Sequence, residues 1–120
     1  MIKTVEQAAL EALTTAVVEA LEDKKASDVL VIDVRGRCDF TDRLVVASGR
    51  SNRQLKALSN VVSEAAHRFH LPARAEGLEA SEWVLVDLGD LVVHLFLPEV
   101  RENFQMERLW AIPAGVNTAS

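Results

Sequence analysis

A small single α/β domain, with helices packed on a mixed β-sheet, is the fold class that three features of the sequence predict. Apolar periodicity switches between helical and strand spacing in the order α-β-β-α-β-β-β-α. Too few residues separate the first two strand-like runs for a crossover, so they pair antiparallel, whereas the second helix can carry the chain across the sheet. The 120 residues are 49% hydrophobic and 26% charged, enough for one core and one domain.

The first helix runs from Thr4 to about Lys25. Thr4 and Gln7 form a capping box, and Val5, Ala9, Ala12, Leu13, Ala16, Val17, Ala20 and Leu21 recur at helical spacing. Lys24 and Lys25 fall in its last turn, where they complement the dipole. Val29-Leu30-Val31-Ile32-Asp33-Val34 is short, β-branched and mostly apolar, as expected of a strand covered on both faces. After the turn at Arg35-Gly36-Arg37-Cys38-Asp39, Leu44-Val45-Val46-Ala47 forms a second strand ending at Ser48-Gly49.

Ser51 and Gln54 make another capping box, and Leu55, Leu58, Val62, Ala65 and Phe69 continue as a second helix that Pro72 terminates. A short edge strand is expected between Pro72 and Glu76. Trp83-Val84-Leu85-Val86-Asp87 and Leu91-Val92-Val93-His94-Leu95-Phe96 flank Leu88-Gly89-Asp90, the signature of a β-hairpin. Pro98 stops the last strand, Glu99 to Trp110 reads as one or two short helical turns, and residues 112–120 read as a frayed tail behind a domain spanning 1–111.

Composition excludes several functions. The single cysteine, Cys38, leaves no intrachain disulfide framework and fits a reducing compartment. With 13 basic and 18 acidic residues the net charge is −5, so the chain lacks the basic surface of a general nucleic-acid binder and suits a basic partner better; no sequence-specific nucleic-acid contact is expected. Apolar stretches are broken by charges well short of the roughly 20 residues that span a bilayer. The charged periodic segment near the N-terminus resembles neither a signal nor a transit peptide, and the expected location is cytoplasmic, with no membrane partner.

No catalytic constellation emerges. A nucleotidyl-transferring site wants acids on alternate residues of one strand, but the same-face neighbours of Asp33 are Val31 and Arg35, and those of Asp87 are Leu85 and Gly89. Asp39 and Asp42 supply no such pair either, and Asp87 and Asp90 bracket a glycine turn, where Asp is favoured for its own hydrogen bonding. The Ser48-Gly49-Arg50-Ser51 turn could seat an anion at a helix N-terminus, yet no further glycine or lysine motif accompanies it and Ser51 is explained as an N-cap. Glu64, His67 and His70 lie three apart and spread over a solvated helix end without the i, i+4 spacing of zinc helices. Cys38 lacks a catalytic partner, and His94 reads as a hydrogen-bonded sheet histidine. No metal and no cofactor are expected.

What remains is a surface. Strand alternation sends Trp83, Leu85 and Asp87 to one face with Val92, His94 and Phe96, and Val84 and Val86 to the other. The long helices cover one face; the short C-terminal segment can cover the other only in part. An aromatic anchor beside acids has the makeup of a protein-binding hot spot, while the bland alternative makes Trp83 a core residue.

Taken together, Asp28-Val29 through Val34, Thr41-Asp42, Val45 through Gln54, Glu76-Gly77-Leu78, Trp83 through Asp90, Val92 through Phe96, and Arg101 with Glu107-Arg108-Leu109-Trp110 resemble the ribosomal silencing factor family, RsfS or Iojap, over roughly residues 5–111. The resemblance implies a non-enzymatic factor that binds ribosomal protein L fourteen on the large ribosomal subunit. It would block association with the small subunit and so repress translation under starvation or in stationary phase. It also implies a nucleotidyltransferase-like topology without the catalytic acids. By motif, Trp83, Asp87 and His94 are placed at or beside the partner surface, with Asp42 and Arg101 as further candidates. Two positions depart from the family pattern: Arg43 stands where an aromatic is usual, and Asn103-Phe104 where Phe-Tyr is usual. The rival readings are a magnesium-dependent nucleotidyltransferase or nucleotide-binding enzyme, and a homodimer that buries the Trp83 face.

Overall fold

A computed structural model describes residues 5–36 and 41–104. Its elements follow the expected order: α1 (Val5–Asp23), β1 (Ser27–Asp33), β2 (Arg43–Ser48), α2 (Asn52–Arg68), β3 (Arg74–Glu76), β4 (Trp83–Asp87), β5 (Leu91–Phe96) and α3 (Pro98–Phe104). The five strands form one sheet in the order β1-β2-β5-β4-β3. β2 and β5 pair in parallel and the other neighbours are antiparallel, so the sheet is mixed.

The sheet has an apolar cluster on each face, as its alternating side chains require. Against one face pack α1 and α2, burying Leu10, Leu13, Val17 and Leu21 of α1 and Leu55, Leu58 and Val62 of α2 over Val45, Val84, Val86, Val93 and Leu95. On the opposite face Ile32, Val34, Leu44, Val46, Val92 and Phe96 form a second, smaller cluster, against which Leu30, Trp83, Leu85 and Val100 pack while partly exposed.

Three expectations are corrected. In α1 Leu10, Leu13, Val17 and Leu21 are buried while Ala9 and Ala12 are exposed, because the larger leucine side chains set which face turns inward. Lys24 and Lys25 lie beyond the last turn: α1 ends at Asp23, and Lys25 reverses the chain at φ 67°. β1 is not covered on both faces. It is the sheet edge, and although Val29 packs under the helices, Val31 is 43% exposed.

The second helix follows its sequence signals closely. Ser51 is extended, and its Oγ accepts from the Gln54 amide at 3.1 Å. Gln54 Oε1 in return accepts from the amide of Arg50, one residue before the cap, at 2.6 Å. The Gln54 side-chain amide donates to the carbonyls of Lys24 and Lys25 at 3.0 and 3.2 Å, tying the start of α2 to the end of α1. Asn52 Nδ2 fastens the same helix start to the carbonyls of Ala80 and Ser81. Thr4, Cys38, Asp39, Phe40, Trp110 and the expected tail at 112–120 lie outside the described residues.

Candidate functional site

The site is built on the β4–β5 hairpin, on the face turned away from α1 and α2. Its register follows from the short loop: Gly89 adopts φ 96°, its amide donates to Asp87 Oδ1 at 2.8 Å, and the Leu88 amide donates to the Leu91 carbonyl at 2.9 Å. Trp83 therefore stands opposite Phe96, Leu85 opposite His94, and Asp87 opposite Val92. All six lie on the second face, as strand alternation requires.

Three rings meet there. The indole of Trp83 stacks on Phe96 with centroids 5.1 Å apart and planes inclined by 30°. His94 lies nearly parallel to Phe96, at 6.1 Å and 10°, and 6.0 Å from Trp83. Trp83 Nε1 donates to His94 Nδ1 at 3.0 Å, across the strand diagonal. An accepting Nδ1 carries no proton, so the imidazole is neutral with its hydrogen on Nε2. Burial pushes its pKa down from 6.5 to about 4. Phe96 is fully buried and His94 is 6% exposed, whereas Trp83 is half-buried above them. The rings thus form a buried platform with one partly open cap.

The other expected residues divide between the two ends of the sheet. Asp87 is half-buried on the same stripe as Trp83, four residues along β4, or about 13 Å away. One of its carboxylate oxygens closes the hairpin turn. Half-buried Asp42 sits at that end too, its amide donating to the Asp90 carbonyl at 3.1 Å. Arg101 is at the opposite end, beside Ser48 and Phe96, because Ser48 pairs with Phe96 in the sheet. Only 9% exposed, it donates through Nη1 to the Asp28 carbonyl at 2.8 Å and to Ser48 Oγ at 2.9 Å, anchoring α3 on the sheet. Trp83 and His94 are therefore brought into contact, with Arg101 bonded to Ser48 at the same end of the sheet, while Asp42 stands with Asp87 at the hairpin end. Phe96 and Leu85 belong to the same stripe, and the alternation that selected Trp83 carries them as well.

Elsewhere the geometry favours structural roles. Asp33 is held below the usual carboxylate range by its hydrogen bonds from Arg35, whose guanidinium lies 2.7 Å away. At the β2–α2 turn, the Gly49 amide donates to the Phe96 carbonyl, the Arg50 amide to Gln54 and the Gln54 amide to Ser51. The Gly49, Arg50 and Gln54 amides at this turn are thus engaged within the chain. Among the described residues no group of three or more His, Cys, Asp or Glu could hold a metal ion, and no helix is long and apolar enough to cross a membrane.

A family model described as "Ribosomal silencing factor during starvation" matches residues 6–119. A ribosomal silencing factor of Chromobacterium violaceum is 41% identical over 102 residues, covering 84% of each chain. A mouse protein named for mitochondrial assembly of the ribosomal large subunit is 37% identical over 101 residues, 79% of this chain and 43% of that protein. The crystal structure of a Chromobacterium violaceum protein superposes with a TM-score of 0.81 at 39% identity, covering 92% of this chain and 95% of the other.

Proposed function

The chain belongs to the ribosomal silencing factor family, and from that premise we propose that it binds the large ribosomal subunit through ribosomal protein L fourteen and prevents the small subunit from joining. Translation would thereby be repressed in the cytoplasm under starvation or in stationary phase. The observation that carries this reading is the half-buried Trp83 on its platform of Phe96 and His94, with Leu85 and Asp87 continuing the stripe. A large aromatic with a fixed ring offers much contact area for little further loss of freedom, as binding hot spots require.

The mechanism asks nothing of catalysis. A protein of 13.2 kDa seated where the small subunit must dock blocks joining by occupancy, and its effect scales with affinity. The net charge of −5 favours encounter with a basic ribosomal protein and gives no general grip on RNA. The mouse relative, named for assembly of the ribosomal large subunit, supports the choice of subunit.

Sucrose-gradient analysis of purified subunits tests the reading. Added protein should shift material from joined ribosomes to free subunits and cosediment with the large one. Trp83→Ala should weaken that cosedimentation by more than ~1 kcal/mol while remaining folded. No effect of the unmodified protein on joining would overturn the proposal.

A further inference from the structure

We infer that His94 is a positioning residue that acts through Trp83: by accepting the only N–H of the indole, it fixes which edge of the ring turns inward and leaves an apolar ring surface to meet the partner. The inference rests on the reading of the Trp83 face as the large-subunit surface.

Stacking on Phe96 fixes the plane of the indole, at 30° to the phenyl ring, but a flat stack survives a half-turn of the ring about its Cβ–Cγ bond, which exchanges the two edges. The hydrogen bond to Nδ1 at 3.0 Å removes that freedom, since only one orientation points Nε1 at the imidazole. His94 itself is 6% exposed and pressed almost parallel to buried Phe96, so little of it is offered to a partner. Its own rotamer is held by the stack, which gives the indole a rigid acceptor. Without that acceptor the indole N–H would lie beside an apolar cluster unsatisfied, and the ring would turn to bring it to water. The partner group matched to the ordered ring is then one that covers an apolar surface, such as a methyl or methylene group or the stem of a basic side chain, and not a hydrogen-bond acceptor aimed at the indole N–H.

A double-mutant cycle with the full chain separates this role from direct contact. In His94→Asn the amide oxygen takes the place of Nδ1 and can accept the same bond; in His94→Leu nothing can. The indole N–H signal of Trp83, assigned by its loss in Trp83→Phe, should stay slow to exchange in His94→Asn and become fast in His94→Leu. Binding to large subunits should fall about tenfold in His94→Leu and be largely restored in His94→Asn. In a Trp83→Phe background, which has no N–H to accept, His94→Leu should add less than about twofold. Unchanged binding by His94→Leu, or the same loss with and without the indole N–H, overturns the positioning role. Unchanged binding by Trp83→Ala overturns the reading of the surface as well, which tells the two failures apart.

Discussion

Lowering the pH from about 7 to about 5 should remove about 2 kcal/mol of folding stability through His94 alone. In the folded chain burial holds its pKa at about 4, while the unfolded chain has the ordinary value of 6.5. Between these values the unfolded state binds a proton that the native state refuses, so stability rises with pH. The contribution is fully present above 6.5 and is lost as the pH falls toward 4. At about 1.4 kcal/mol per pH unit the whole displacement is worth about 3 kcal/mol, most of it gone by about pH 5. For a chain of this length the loss by about pH 5 lowers the melting temperature by about 8 °C. Urea titrations of the unmodified protein and of His94→Asn across this range isolate the effect, because the asparagine can accept from Trp83 but cannot titrate. Asp33 does not interfere: its carboxyl, already below 3.8, loses its stabilisation only as the pH falls through that still lower folded value. The difference in urea midpoint between the two proteins should change steadily with pH. Parallel loss of stability in both would refute the reasoning, since it would mean that His94 takes up its proton equally in the folded and unfolded chains.

Substitutions at four further positions test how the site and its surroundings are held. Arg101→Met leaves Ser48 Oγ and the Asp28 carbonyl without their charged donor and should cost about 2 kcal/mol in urea denaturation, with faster amide exchange in α3. Gln54→Ala removes the bonds to Arg50, Lys24 and Lys25 and should cost about 1–2 kcal/mol, whereas Gln54→Glu should recover only the part due to the Arg50 amide. Gly77→Ala would set a methyl group into the Trp83 carbonyl at φ 87° and should cost more than about 2 kcal/mol by thermal melting; Gly89→Ala, with open space at φ 96°, should cost about 1.

Much of the fold was legible because local signals and tertiary demands agree. The Ser51 cap, the glycine hairpin and the proline after β5 each act over a few residues, and each is realised; α2 instead closes at Arg68, ahead of Pro72, with His70 at φ 60° and the Leu71 amide donating to the Ala66 carbonyl. β1 was misread for the opposite reason. An apolar run of β-branched residues looks alike at the centre of a sheet and at its edge, and only the pairing of β2 with β5 decides that β1 is outermost. The site shows the same division. That Trp83, His94 and Phe96 share a face follows from alternation, but the hydrogen bond between the first two depends on a register that the hairpin loop sets. The anchoring bonds of Arg101 are beyond sequence patterning, which offers the residue only as a surface candidate: its partners lie 53 and 73 residues earlier, and no pattern in a seven-residue helix announces them.

The two segments most suggestive of function on sequence alone are separated by how far each is consumed by the fold. In the stretch from Ser48 to Gln54, nearly every distinctive group has a structural task. Ser48 holds Arg101, Gly49 makes room for Leu55 and Leu58, Ser51 caps α2, and Gln54 joins three other residues. A phosphate drawing on the Arg50 or Gln54 amide would have to displace bonds that shape the start of α2, so these residues argue against the nucleotide-binding interpretation that they invite. The stripe of Trp83, Leu85 and Asp87 is different. Its opposite-strand partners, Phe96, His94 and Val92, are buried, yet the stripe itself is only half-buried, and Asp87 uses one carboxylate oxygen for the turn. A side chain needed only as core filling gains from complete burial, and an indole held half-open by a stack and a hydrogen bond gives up part of that gain. Fixed orientation with area to spare is what a binding anchor requires, and under the proposed function it favours β4 over the helix cap as the place of association.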